Sequence, residues 1–217
     1  EWVIEKPRLL GENLLVVTSE FAEFEGLRDR LDVLALGPDG KLVVVELKRD
    51  DADDTTDLQA IKYASYCATL TAEEIQQEYR EFWQNRDNKE ITPESVGEKF
   101  DDFLQEGVLR DDPFTEDGWA AFDLDSKPRI LLAAGEFGTQ ITSPVMWLIE
   151  EYGMDITCTK IDAYDHDDEI LLDSQQIIPV KEAEEYMTRR RQKEEKQEEK
   201  RRSSRTIRVL LDWGHLD

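Results

Sequence analysis

Two short apolar runs, Leu31–Leu36 and Leu42–Leu47, flank the tetrapeptide Gly37-Pro38-Asp39-Gly40. Pro38 presets a turn torsion and Gly40 accepts a positive φ, so the pattern predicts a β-hairpin closed by a type I turn with a bulge. Strand alternation then decides which side chains meet. Asp32, Leu34 and Leu36 fall on one face of the first strand, and Leu42, Val44, Glu46 and Lys48 on one face of the second. Closure at residues 38–40 sets Asp32 opposite Glu46, with Lys48 one step beyond on the same face. Two carboxylates and an amine thus converge at the open end of an otherwise apolar ladder. A half-buried sheet does not hold three charges there without a reason.

The remaining pattern supplies the elements around this hairpin. Residues 3–13 read as a short helical lead-in interrupted near Pro7, residues 14–21 as a first strand, and residues 22–29 as a charged connection. Residues 50–57 form a dense acidic turn, in which Asp53 or Asp54 caps a helix over about residues 55–70. In that helix Leu58, Ile61, Tyr63, Ala64 and Cys67 recur mostly at three- and four-residue spacing. Thr71 and Glu74 have capping-box spacing and start a second helix, to about Asn85, with Ile75, Tyr79, Phe82 and Trp83 as its stripe. Thr92-Pro93-Glu94-Ser95 starts a third, along Val96, Phe100, Phe103 and Leu104. After Gly107 the chain reads as a polar loop, with Trp119 and Phe122 packing back onto the body. Residues 71–127 together read as a helical insertion.

Ile130–Ala134 is an uninterrupted apolar strand of the kind buried on both faces. Residues 140–153 read as a helix ended by Gly153, and residues 155–164 and 169–173 as a second hairpin, with residues 177–179 closing the fold. Residues 181–202 read as a long polar helix with opposite charges one turn apart, such as Arg190 with Glu194 and Glu198 with Arg202. The order of elements predicts an α/β fold, a mixed central sheet flanked by helices over residues 1–180. A polar helix or linker follows over 181–205, and the apolar stretch 206–217 reads as the start of a further module.

With 217 residues and 39% hydrophobic content, the chain can bury one substantial core and a smaller second one. Cys67 and Cys158 are too few for a disulfide framework, which makes a reducing, cytoplasmic compartment the expectation. No run approaches membrane-spanning length and no signal peptide opens the chain, so no membrane partner is expected. The chain begins at Glu1 rather than Met, which reads as a piece of a longer product. Fifty-one acidic residues against 27 basic ones give a net charge of −24. The excess is spread along the chain, and residues 1–180 hold 42 acidic and 16 basic residues. Such a surface suits folding in concentrated salt, where repulsion is screened, and points to a halophilic source. Any nucleic-acid surface must then be local, or must work where salt screens the bulk charge.

Against this background the charges at the hairpin gain a chemical meaning. Hard divalent cations such as Mg²⁺ or Mn²⁺ take oxygen ligands, which Asp32, Glu46, the Leu47 carbonyl and waters can offer. Such a cation acidifies a bound water and neutralises charge on a scissile phosphate. Lys48 is placed to orient that water or to stabilise developing negative charge.

An Asp, thirteen intervening residues and Glu46-Leu47-Lys48, followed by the helix segment Gln59-Ala60-Ile61-Lys62-Tyr63, resemble the PD-(D/E)xK nuclease superfamily. The segments R-L-D-V-L-A, L-V-V-V-E-L-K-R and D-L-Q-A-I-K-Y-A are similar to the nuclease domain of the archaeal mismatch and flap endonuclease family. So are the run-in P-R-L-L-G-E-N-L-L-V-V and the later P-R-I-L-L-A-A, W-L-I-E-E-Y-G-M-D-I-T-C and I-I-P. The resemblance implies a restriction-endonuclease-like core and a metal-dependent DNA endonuclease or exonuclease, with Asp32 and Glu46 as metal-binding acids and Lys48 as the catalytic lysine. It implies that Gln59 and Tyr63 support the site and nearby phosphates, and that an extra acid comes from the N-terminal segment, for which Glu20 and Glu12 are both candidates. It makes DNA the expected partner and leaves a homodimer, and further domains or subunits, open. Related sequences commonly carry glycine three residues before the motif Asp, where this chain has Asp29. The pattern of the mismatch endonucleases' N-terminal DNA-binding domain does not occur, so mismatch specificity does not carry over.

Plainer readings stand beside these. A D…ExK spacing arises by chance in so acidic a chain, and the same fold can serve as a non-catalytic nucleic-acid-binding or scaffolding domain. Ordinary packing also explains Gln59 and Tyr63. Residues 50–57 read as a solvated loop rather than a second metal site. His166 and His215 have no partners at zinc spacing. Trp119 and Phe122 read as packing rather than base-stacking residues, and the basic runs at 189–191 and 200–205 as a solvated helix or linker as readily as phosphate contacts. No Gly-rich phosphate loop, Ser-His-Asp arrangement or nucleophile elbow is present.

Overall fold

The computed structural model describes residues 2–21, 30–48, 56–105, 108–166 and 169–179. A short helix α1 (Trp2–Glu5) and a 3-10 turn (Pro7–Leu10) lead into strands β1 (Leu15–Phe21), β2 (Leu31–Leu36) and β3 (Lys41–Leu47). Three helices follow, α2 (Thr56–Cys67), α3 (Ala72–Asp87) and α4 (Pro93–Phe103). A small hairpin of β4 (Leu109–Phe114) and β5 (Ala120–Phe122) precedes β6 (Asp125–Ala134), helix α5 (Thr139–Tyr152) and the pair β7 (Ile156–His166) and β8 (Glu169–Ile178). The six-stranded sheet runs β1-β2-β3-β6-β7-β8, parallel at β3-β6-β7 and antiparallel elsewhere. This is the mixed α/β sheet flanked by helices that the sequence predicts. No helix of the described residues is long and apolar enough to cross a membrane.

Alternation sorts the hairpin between two cores. Leu34, Leu36, Leu42 and Val44 pack with Tyr63, Cys67, Ile75, Val96 and Phe100 from α2, α3 and α4. Val33, Ala35, Val43 and Val45 pack on the other face with Val3, Leu10 and Leu14. The sheet is therefore buried on both faces here, not half-buried as expected, because the N-terminal segment covers the face that the helices leave. Trp119 and Phe122 pack into the helix-side core, as expected.

The turn has the expected form. The Gly40 amide donates to the Gly37 carbonyl at 3.1 Å, and Gly40 has φ +76. The turn is also clamped from outside. Gln105 N–H donates to the Pro38 carbonyl at 2.9 Å and Asp125 N–H to the Gly40 carbonyl at 3.0 Å. A Cβ on Gly40 would meet Val108 Cγ1 at 2.7 Å.

Several expectations need correction. Residues 109–122 form a hairpin instead of a loop; a sequence such as Leu-Arg-Asp-Asp-Pro-Phe carries no strand alternation, and the pairing is irregular between Leu109 and Phe114. Strand β6 starts at Asp125, not Ile130, inside the range read as a helical insertion. Its polar first half pairs with the start of β3 across a register irregularity, where Pro128 is tolerated. Strand β8 runs on to Ile178, so Ile177 and Ile178 continue that strand instead of closing the fold separately. Residues 22–29, 50–55 and 181–217, with the long polar helix and the further module expected there, lie outside the described residues.

Two close fits fasten the β4–β5 hairpin to the helices. Gln76, fully buried on α3, donates Nε2 to the Ala120 carbonyl at 3.0 Å and accepts the Ala120 N–H at 2.8 Å. Its amide thereby acts as a strand partner for β5. On α4, a Cβ at Gly97 would lie 2.2 Å from the Gly118 carbonyl oxygen, so only glycine admits this approach. Gln76→Leu should lower unfolding free energy by about 1–3 kcal/mol, since it strips both bonds from the Ala120 peptide groups. Denaturant titration checks this, with the exposed Gln77→Leu on the same helix expected to change stability by less than about 0.5 kcal/mol.

Candidate functional site

The pairs Val33↔Val45, Leu34↔Val44 and Leu36↔Leu42 hold a constant register, and continuing it by one residue places Asp32 opposite Glu46. The Leu47 N–H donates to Asp32 Oδ2 at 2.7 Å, which fixes the half-buried carboxylate against the end of β3. Glu46 is 1% exposed, and its Oε1 lies 3.4 Å from Lys48 Nζ. Lys48 in turn donates its backbone N–H to the Ala133 carbonyl on β6 at 2.9 Å. The cluster therefore sits at the carboxyl ends of parallel strands β3 and β6, where open α/β sheets present groups to ligands.

Electrostatics follow from this placement. Burial pushes the Asp32 carboxyl above the ordinary range, the Leu47 N–H and the Lys48 ammonium pull it back, and the charge of Glu20 pushes it up again. A desolvated carboxylate beside another buried one favours a cation between them. The donor set suits a hard one: two carboxylates and the Leu47 carbonyl are all oxygen. Among the described residues, no group of three or more His, Cys, Asp or Glu side chains is placed to hold a metal ion by itself. A cation here would complete its shell from main chain, water and substrate oxygens, the usual habit of Mg²⁺. Cys67 and Cys158 are buried, and burial pushes both thiols up to about 12, so neither serves as a nucleophile or a soft-metal ligand.

The other expected residues divide. Gln59 and Tyr63 lie one turn apart on α2, with Gln59 Nε2 3.5 Å from Tyr63 Oη. Tyr63 is fully buried among the core side chains, which leaves it no surface to offer a phosphate. Glu20, next to last in β1, has φ 53, a left-handed conformation costing a non-glycine residue roughly 1–2 kcal/mol. Its charge is felt at Asp32. Glu12 instead pairs with Arg129, which sits opposite Val43, three strand positions from Glu46 and so roughly 10 Å along the sheet. The geometry brings Glu20, and not Glu12, near the cluster. Sequence reasoning missed the Leu47 amide as the clamp on Asp32 and Arg30 as the partner of Glu20 at 2.9 Å. Strand register could have revealed the first; nothing local signals the second.

A largely apolar groove of about 670 Å³ opens beside Lys48 and Leu47, walled by Trp2, Leu9, Ala133, Ile161 and Leu172. It leaves the lysine with a dry wall on one side and the acidic groups on the other.

No protein-family model matches this chain, and no curated protein matches it. Two solved structures are similar to it. EndoMS in complex with double-stranded DNA shares 17% identity at a TM-score of 0.32, over 73% of this chain and 41% of that one. A repair endonuclease from Pyrococcus abyssi shares 18% identity at a TM-score of 0.31, over 71% of this chain and 42% of that one. The chain thus spans about two fifths of the length of each.

Because Asp32 has a raised pKa in the fold, its ionised form costs stability above that pKa, and the cost disappears as pH falls below the ordinary carboxylate value. Asp32→Asn, which can still accept the Leu47 N–H, should therefore melt higher than wild type at neutral pH. The gain should fade toward about pH 4. Adding Mn²⁺ should raise the wild-type melting temperature and leave Asp32→Asn unmoved. Melting curves with and without the metal at both pH values check the three signs.

Proposed function

We propose that this chain is a divalent-metal-dependent DNA nuclease of the PD-(D/E)xK type, hydrolysing phosphodiester bonds in repair or in restriction and defence. The observation that carries the reading is the hairpin register, which brings Asp32, buried Glu46 and Lys48 to one end of the sheet. In this reading Asp32, Glu46 and the Leu47 carbonyl hold Mg²⁺ or Mn²⁺, and Glu20 is the auxiliary acid. When bound, the cation supplies Lewis acidity toward the scissile phosphate and acidifies a water. The Leu47 N–H keeps Asp32 aimed at the site. Lys48 has three N–H donors, of which Glu46 takes one; the others orient the attacking water and meet the phosphoryl oxygen where charge develops. Gln59 adds a polar edge from α2, braced by Tyr63. The water oxygen releases a proton to solvent as it bonds to phosphorus, the phosphorus–oxygen bond to the leaving strand end breaks, and that oxygen takes up a proton from solvent.

The test is incubation of the chain with Mg²⁺ or Mn²⁺ and single-stranded, duplex, flap and mismatched DNA across a salt series. Cleavage is expected, and Asp32→Ala, Glu46→Ala and Lys48→Ala should each lose at least about a hundredfold in rate while retaining native circular dichroism. Because the chain carries −24 and DNA is a polyanion, activity should rise as salt screens the repulsion to about 3 Å at 1 M. Wild-type protein that binds DNA but leaves all four substrates intact sinks the nuclease and favours the non-catalytic binding or scaffolding domain.

A further inference from the structure

Near the end of β1, Glu20, the auxiliary acid of that reading, makes a contact with Arg30 that the hydrolytic apparatus does not use. Glu20 occupies the left-handed region at φ 53, and its Oε2 accepts from Arg30 Nη1 at 2.9 Å. The two side chains are 72% and 63% exposed. Arg30 is two residues before Asp32, roughly 7 Å along an extended chain. Glu20 therefore stands between a surface guanidinium on one side and the half-buried Asp32, its neighbour across the β1–β2 register, on the other, and its charge already acts on Asp32.

We propose that the Arg30–Glu20 pair is an exchange latch: when a divalent cation fills the site, Glu20 swings from Arg30 toward it, and the freed Arg30 takes a substrate phosphate. The inference rests on the metal-dependent nuclease reading. Three physical points carry it. An exposed ion pair is weak and salt-screened, so Glu20 gives up little on leaving Arg30. Its left-handed backbone has a relaxed extended alternative, so rotation out of the present pose releases strain. A guanidinium matches the paired oxygens of a phosphate bidentately, which suits Arg30 to the substrate once Glu20 has moved. Lys48, already committed to Glu46, does not replace it. By linkage, metal and DNA must then strengthen one another's binding to the same degree.

The experiment measures Mn²⁺ affinity by calorimetry, and affinity for a short fluorescein-labelled duplex by anisotropy with and without Ca²⁺, which fills oxygen sites without Mg²⁺ geometry. Arg30→Gln frees Glu20, so Mn²⁺ should bind about threefold tighter, while DNA in Ca²⁺ binds about threefold weaker and the metal–DNA coupling vanishes. Glu20→Gln should do the reverse, weakening Mn²⁺ and tightening metal-free DNA binding. Arg30→Lys, which keeps the charge but not the fork, should fall between wild type and Arg30→Gln for DNA. A purely structural pair would not produce these opposed signs. Unchanged or weaker Mn²⁺ binding in Arg30→Gln, or unchanged DNA binding in Ca²⁺, overturns the latch while leaving the nuclease reading in place. Absence of Mn²⁺ binding by wild type overturns both.

Discussion

Whatever happens at the open end of the β2–β3 hairpin depends on which residues face one another across it, and that is settled at the opposite end, between Gly37 and Gly40. A slip of one residue would turn Asp32 onto the Val33 face and away from Glu46. The register is guarded where the slip would begin. Gly40 takes a positive φ with no room for a side chain, and the Pro38 and Gly40 carbonyls are taken by Gln105 and Asp125. The segment around β4 and β5 contributes nothing to the charged cluster directly. It holds the turn, and the turn holds the register.

The carboxylates themselves are not explained by stability. A buried ion pair such as Glu46 with Lys48 recovers little of its desolvation cost, and apolar residues of similar volume would pack at least as well. Gln76 shows what a buried polar group looks like when structure accounts for it: its amide is bonded to both peptide groups of Ala120 and ties α3 to β5. Glu46 and Asp32 instead leave acidity concentrated at a strand end. Two acids so placed offer oxygen donors to a hard cation.

The sequence revealed whatever depended on short-range periodicity and turn chemistry. The hairpin, the capping box at Thr71 and Glu74, the start of α4 at Thr92 and the end of α5 at Gly153 could all be read from a few neighbouring residues. It hid what depends on distant partners. Strand β4 exists because β5 pairs with it, and the polar half of β6 because β3 offers an edge. At the site, alternation was enough to gather Asp32, Glu46 and Lys48. Choosing between Glu12 and Glu20 was not possible from the chain, since it turns on Arg129 and Arg30, which approach from elsewhere in the fold. Nor could alternation show that Tyr63 is sealed beneath the sheet, because Tyr at helical spacing reads the same on a core face and a site face.

That contrast bears on the charge of the chain as a whole. With 51 acidic residues, acidity alone marks nothing, and a D…ExK spacing is nearly expected somewhere. What separates Asp32 and Glu46 from the rest is their solvent. An exposed carboxylate in concentrated salt is screened within a few ångströms and interacts with little beyond its own shell. A carboxylate taken out of water keeps its full field and must be answered by a proton, an ammonium or a metal. Lys48 answers part of the field of both acids, pairing with Glu46 and pulling the Asp32 carboxyl down. The position between them is the one where a dication would gain most, and in so acidic a chain it is desolvation, not the number of acids, that distinguishes it.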